Sequence, residues 1–207
     1  MIIQASKITK RFGATVAIRD LTLRFPEQGT VAIMGPSGCG KTTLLQILAG
    51  LQRPTQGTVQ CTAATTAYVF QEPRLLPWRT VADNIRLARH QTAQPSQSVL
   101  QWLEAVGLPD CADRYPDELS GGMKQRVAIA RALYCESDLL LMDEPFRGLD
   151  EAMRTQIMDM VRRERSNPDK LTLLVTHDKA EAQALADFIL LFSDAPASSY
   201  TWETITR

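Results

Sequence analysis

Over the first 34 residues apolar and polar side chains alternate in short pieces, Ile2-Ile3, Leu21-Thr22-Leu23-Arg24-Phe25 and Thr30-Val31-Ala32-Ile33, broken by Gly13 and Pro26-Glu27-Gln28-Gly29. Period-two alternation bounded by turn residues predicts strands, read here as antiparallel. Val59 and Tyr68-Val69-Phe70 predict more. Pro73, Pro77, Pro95 and Pro109 then punctuate a stretch in which Val99, Leu100, Leu103 and Val106 keep helical spacing, so an inserted helical subdomain is expected over 72–118. The polar run 91–98 reads as a connecting loop. From Ser120 onward helical and extended patterns alternate: helices over 123–134, 151–165 and 178–186, strands over 138–142, 171–176 and 188–192. Such alternation predicts a mostly parallel sheet with flanking helices. The fold class is therefore α/β, with an N-terminal antiparallel β subdomain and the helical insert, all in one domain over 1–207.

The strand candidate Val31-Ala32-Ile33-Met34 runs into Gly35-Pro36-Ser37-Gly38-Cys39-Gly40-Lys41-Thr42, and this opens the helical stretch that begins at Thr43. Strand, Gly-x-x-x-x-Gly-Lys-Thr loop and helix together specify a phosphate-binding loop of the NTPase type. Glycines let backbone N–H groups close around phosphate oxygens, and the helix start adds partial positive charge. Lys41 is expected on the β- and γ-phosphates and the Thr42 hydroxyl on Mg²⁺. Cys39 lies inside this loop, where a thiolate is favoured near a helix N-terminus, so ready alkylation is expected. The other cysteines, Cys61, Cys111 and Cys135, read as small buried apolar residues.

The run Leu139-Leu140-Leu141-Met142 has no polar interruption, as in a strand buried on both faces, and ends in Asp143-Glu144. Ligands of open α/β sheets bind at the carboxyl edge, so the pair is expected beside the phosphate loop. Asp143 is assigned to Mg²⁺ and Glu144 to the water that attacks the γ-phosphate.

Composition narrows the partners. Lys and Arg total 23, as do Asp and Glu, so no global field draws the chain to nucleic acid. The cysteines form no Cys-x-x-Cys pair, which argues against a zinc site or a disulfide scaffold. There is no signal-peptide layout at Met1, and the longest apolar runs, such as 188–192, are too short to span a bilayer. A soluble chain in a reducing cytoplasm is expected.

The segment Leu119-Ser120-Gly121-Gly122-Met123-Lys124-Gln125-Arg126 resembles the signature sequence of ATP-binding cassette ATPases. Gln71 in Val69-Phe70-Gln71-Glu72, Asp150 in Gly148-Leu149-Asp150 and His177 in Val175-Thr176-His177-Asp178 follow the family order. The resemblance spans residues from about Ile2 to Phe192 and implies ATP hydrolysis powering a membrane permease. It implies that Ser120, Gly121 and Gly122 bind the γ-phosphate of ATP held by a partner subunit in a head-to-tail dimer. It also implies roles for Gln71 as sensor of Mg²⁺ and water, Asp150 as link between the two sites, His177 as γ-phosphate contact and Phe12 as the ring on adenine. Phe70-Gln71-Glu72-Pro73-Arg74-Leu75-Leu76-Pro77-Trp78 resembles the nitrate, sulfonate and taurine importer group, with Leu75, Leu76 and Trp78 as contacts for the permease. Arg147-Gly148 departs from the Gly-Ala common there, and 193–207 is a tail too short for a regulatory domain.

The expected assembly is thus a homodimer, or a pair with a second such ATPase, on the cytoplasmic face of the membrane. Permease subunits and a periplasmic or surface solute-binding protein complete it, importing a small solute such as an anion. Two alternatives stay open: a cassette acting on nucleic acid or the ribosome, and one acting on an envelope protein or lipid.

Overall fold

The computed structural model describes residues 1–88, 97–164 and 170–205. Strands β1 (Ile3–Phe12), β2 (Thr15–Arg24) and β4 (Gln56–Cys61) form an antiparallel sheet in the order β2-β1-β4. A second sheet has the order β5-β6-β7-β3-β8-β9, from β3 (Gly29–Met34), β5 (Thr66–Val69), β6 (Leu139–Asp143), β7 (Leu171–Val175), β8 (Phe188–Phe192) and β9 (Tyr200–Thr204). All its neighbours are parallel except β8 and β9. Thr30-Val31-Ala32-Ile33, expected in an antiparallel strand, instead pairs in parallel with β7 and β8. Alternation identifies a strand but not a partner more than a hundred residues away. The tail expected over 193–207 contains β9, which closes the sheet edge.

Residues of β6 and β7 are buried without exception, as both faces of the sheet are covered. Leu140 and Met142 join Ile129, Leu133 and Trp102 on one side, while Leu139 and Leu141 join Ile8, Leu21, Leu44 and Leu45 on the other. Helix α1 (Lys41–Leu48) follows β3 and buries Leu44, Leu45, Ile47 and Leu48. Burying such aliphatic side chains contributes about 1.5–3 kcal/mol each.

Among its described residues the insert holds two short helices, α2 (Val81–Arg86) and α3 (Val99–Ala105), with two 3-10 turns after α3. Thr80 caps α2, and Ser98 and Gln101 form a capping box on α3, satisfying N–H groups a helix start leaves open. Buried Asn84 binds both the N–H and the carbonyl of Leu76, at 2.7 and 3.1 Å, which holds the segment after Gln71 in shape. Pro95 and most of the 91–98 loop lie outside the described residues, as does Arg165 at the expected end of α5 (Glu151–Glu164). Helices α4 (Gly121–Tyr134) and α6 (Lys179–Leu185) complete the layers.

Candidate functional site

The loop between β3 and α1 is held by contacts that only glycine admits. At Gly40, φ is +106° and an added Cβ would stand 2.4 Å from the Ala17 carbonyl oxygen. At Gly35, φ is +144° and a Cβ would meet Phe192 Cβ at 2.8 Å. The loop is therefore clamped between β2 and β8 with its backbone toward the cavity. Lys41 Nζ donates to the Gly35 and Pro36 carbonyls, both at 2.9 Å, so the charge rests on its own loop.

Cys39 contributes backbone to this loop, but its side chain is wholly buried among Ile18, Leu44 and Phe192. The readily alkylated thiol expected from the sequence is not what the folded loop presents. Cys61, expected to be buried, is exposed on β4, whereas Cys111 is buried and Cys135 half-buried.

At the carboxyl end of β6, Asp143 is 2% exposed and accepts a hydrogen bond from Thr42 Oγ1 at 3.1 Å. Burial pushes its pKa above the ordinary carboxylate value; Thr42 and Lys41 oppose the shift and Glu144 adds to it. A raised pKa means that the folded protein binds more protons than the unfolded chain, so this residue lowers stability as pH rises above the ordinary carboxylate range. Asp143→Asn is therefore expected to raise the melting temperature of the nucleotide-free protein at neutral pH by roughly 2–4 °C, about 1 kcal/mol. Melts from acid to neutral pH should also show a smaller decline for the variant. A lower melting temperature would mean that the Thr42 hydrogen bond outweighs burial.

Glu144 leaves the strand with φ +45°, a conformation rare outside glycine and concentrated at functional sites. Its N–H donates to the Val175 carbonyl at 3.0 Å, fixing the turn to the end of β7. Around its carboxylate, Gln71 Nε2 donates to Oε2 at 3.3 Å, Arg147 Nη1 lies 3.8 Å from Oε2, and His177 Nδ1 lies 3.8 Å from Oε1. Residues 73 apart in sequence, such as Gln71 and Glu144, meet because β5 pairs beside β6.

A cavity of about 420 Å³ is walled by Ser37, Gly38, Gly40, Lys41, Thr42 and Thr43 on the loop side, together with Ala17, Gln71, Glu144, Arg147 and Val175. His177 walls a second cavity with Glu144, Arg147 and Asp178. Phe12 lies outside both, 48% exposed at the end of β1, with Lys10 Nζ 4.9 Å from its ring centroid. Asp150 caps α5, accepting from the Met153 N–H at 3.0 Å.

At the N-terminus of α4, none of Ser120, Gly121 and Gly122 lines the cavity of the phosphate loop. Ser120 Oγ accepts from Met123 N–H at 3.3 Å, and Gly121 walls a third cavity with Gln71, Glu72, Pro73, Gln125 and Arg147. Buried Gln125 donates to the Pro145 carbonyl at 3.0 Å, tying this helix to the segment after Glu144. Arg147 is the site residue that sequence reasoning missed: it stood out only as a departure from the Gly-Ala pair, although its place three residues after Glu144 was visible.

Leu75 packs against the core, while Trp78 is 69% exposed. Leu76 walls a groove of about 370 Å³ with Tyr68, Phe70, Arg74, Leu87 and Arg131. Among the described residues no helix is long and apolar enough to cross a membrane.

Residues 18–147 match the family described as ABC transporter. Over 195 residues, 91% of this chain and 72% of the relative, the chain is 44% identical to the aliphatic sulfonates import ATP-binding protein SsuB 2 of Pseudomonas fluorescens. It is 44% identical to SsuB 1 of Rhodococcus jostii over 90% of this chain and 77% of that one. The dimeric post-hydrolysis structure of the ATP-binding cassette MJ0796 bound to ADP and Pi is similar with a TM-score of 0.86, at 27% identity over 99% of both chains. A phosphate loop, a strand-end carboxylate pair and a detached signature helix, in a fold shared with such cassettes, lead to one conclusion: the chain belongs to the ABC transporter family, as an ATP-hydrolysing subunit.

Proposed function

We propose that this subunit hydrolyses ATP with Glu144 as general base and couples the reaction to import of a small anionic solute, of the aliphatic sulfonate class. The backbone of residues 35–43 would hold the phosphates, with Lys41 swinging from its own carbonyls onto them. Thr42 and Asp143 offer hard oxygen donors that fit Mg²⁺, with Gln71 beside them. Among the described residues no cluster of three or more His, Cys, Asp or Glu could hold a metal alone, so these residues would share the ion with phosphate oxygens and water. When bound, Mg²⁺ supplies neutralisation of phosphate charge. Glu144 would take the proton of the attacking water, His177 would contact the γ-phosphate, and Phe12 would stack on adenine.

The observation that carries the reading is the separation of two half-sites. The cavity with Lys41, Thr42 and Glu144 contains no residue of Ser120-Gly121-Gly122, yet the capped end of α4 offers N–H groups and partial positive charge to an anion. A second copy, placed head-to-tail, supplies the missing half, with Asp150 linking the two sites. The MJ0796 cassette forms a dimer in its ADP- and Pi-bound structure, which supports this arrangement. The groove beside Leu76, with Trp78 and Leu87 exposed next to it, would receive a membrane permease on the cytoplasmic face. A solute-binding protein would deliver the substrate from the other side.

The test is affinity purification of tagged Glu144→Gln protein with ATP and Mg²⁺ from detergent-solubilised membranes of its own cells. A multi-span membrane protein in stoichiometric amount is expected. Recovery of soluble proteins or nucleic acid alone would overturn the transport reading.

A further inference from the structure

Among the described residues, Arg147 is the one that walls three neighbouring cavities: that of Lys41, Thr42 and Glu144, that of Glu144 and His177, and that of Gly121 and Gln71. It sits on a turn whose N–H donates to the Glu144 carbonyl at 3.3 Å, so its backbone is anchored while its side chain is 65% exposed and free to swing. Its contact with Glu144 Oε2 is long, at 3.8 Å, and exposed pairs of this kind hold weakly. Glu144 has Gln71 and His177 beside it as well, so it does not depend on Arg147 for a partner.

A terminal phosphate carries more charge than one carboxylate and matches the planar fork of a guanidinium. Lys41 reaches the phosphates from the loop side, and Arg147 stands at the end of the same cavity where the catalytic carboxylate lies.

We propose that Arg147 reads the terminal phosphate: it rests on Glu144 when that phosphate is absent and transfers to it when ATP is bound. This rests on the reading that the cavity takes ATP with its γ-phosphate toward Glu144. ADP ends one phosphate short and leaves Arg147 where it is. The residue thus makes the single subunit discriminate ATP from ADP before any partner arrives.

The test compares equilibrium binding of ADP and of the non-hydrolysable β,γ-imido analogue of ATP, both with Mg²⁺, to wild type, Arg147→Ala and Arg147→Lys. Protein concentration is kept where sedimentation shows monomers, which removes the contribution of a partner's signature helix. Arg147→Ala should weaken the analogue about 10-fold and change ADP less than about 2-fold, with Arg147→Lys between it and wild type. Equal loss for both nucleotides, or no loss for the analogue, would overturn the proposal. Unchanged ADP binding also reports that the variant is folded. Lys41→Ala is the control for the site: if it leaves both nucleotides bound as tightly as wild type, the reading of the cavity has failed, and the role of Arg147 with it.

Discussion

Replacing Glu144 with glutamine is expected to cut ATP turnover by about 10²–10⁴-fold, the usual range for removing a general base, while nucleotide affinity stays within a few-fold of the parent. The change is isosteric, and glutamine inherits the same φ of +45° at no new cost. The backbone bond from residue 144 to Val175 is untouched, and Gln71 and His177 can still face the side chain. What disappears is the ability to take a proton from water and the charge opposite Arg147. A loss confined to kcat marks an interaction made in the transition state, whereas a rise in KM alone would mark uniform binding. Phosphate release measured with and without excess ATP separates the two, and sedimentation with ATP should show a dimer that persists because its nucleotide is not consumed. Retention of more than a tenth of parental turnover would remove Glu144 from the role of base and shift attention to His177, whose Nδ1 lies 3.8 Å away.

The legible parts of this protein are those whose chemistry is local. Eight consecutive residues, from Gly35 to Thr42, state the phosphate loop because a loop of bare N–H groups needs glycine at fixed offsets. The apolar run ending in Asp143-Glu144 could be read because burial on both faces and a carboxylate pair at the edge are adjacent in sequence.

What could not be read depends on partners far along the chain. The direction of β3 is set by Leu171 and Phe188, which pair with Gly29 and Val31. Strand β9 has the alternation of a strand in Tyr200-Thr201-Trp202-Glu203-Thr204, but its place is given by pairing with β8 and by Trp202, whose ring sits edge-on to Phe25 and Phe188 at 6.2 and 6.5 Å. Cys39 is buried in a cluster that includes Ile18, Leu44 and Phe192, residues that the loop alone does not contain. The place of Arg147 is hidden for the same reason: the three cavities that it walls are formed with residues distant in sequence, among them Lys41, His177 and Gly121.

Gly40→Ala is expected to be the most damaging substitution in the phosphate loop, costing about 3 kcal/mol or more and lowering the melting temperature by roughly 6–12 °C. Nucleotide affinity should fall by more than about 100-fold with it. Two costs coincide at this position. The φ of +106° lies outside what an alanine adopts without strain, and the new Cβ would stand 2.4 Å from Ala17 O and 3.2 Å from Ile18 Cγ1. The first obstacle is backbone of β2, where Ala17 is flanked by Val16 and Ile18, paired with Arg11 and Lys10 of β1, so it cannot yield as a flexible side-chain end would. Relief must come from the loop, and moving it also breaks the start of α1, where the Leu44 N–H donates to the Gly40 carbonyl at 2.8 Å. Gly38→Ala separates the two costs, since φ there is +75° with nothing within 4 Å of the added carbon. That variant should lose only about 1–2 kcal/mol from the left-handed backbone. Thermal melts and nucleotide titrations of the pair decide the point. If both variants melt together, close approach to β2 is not what shapes the loop, and its glycines serve the phosphates alone.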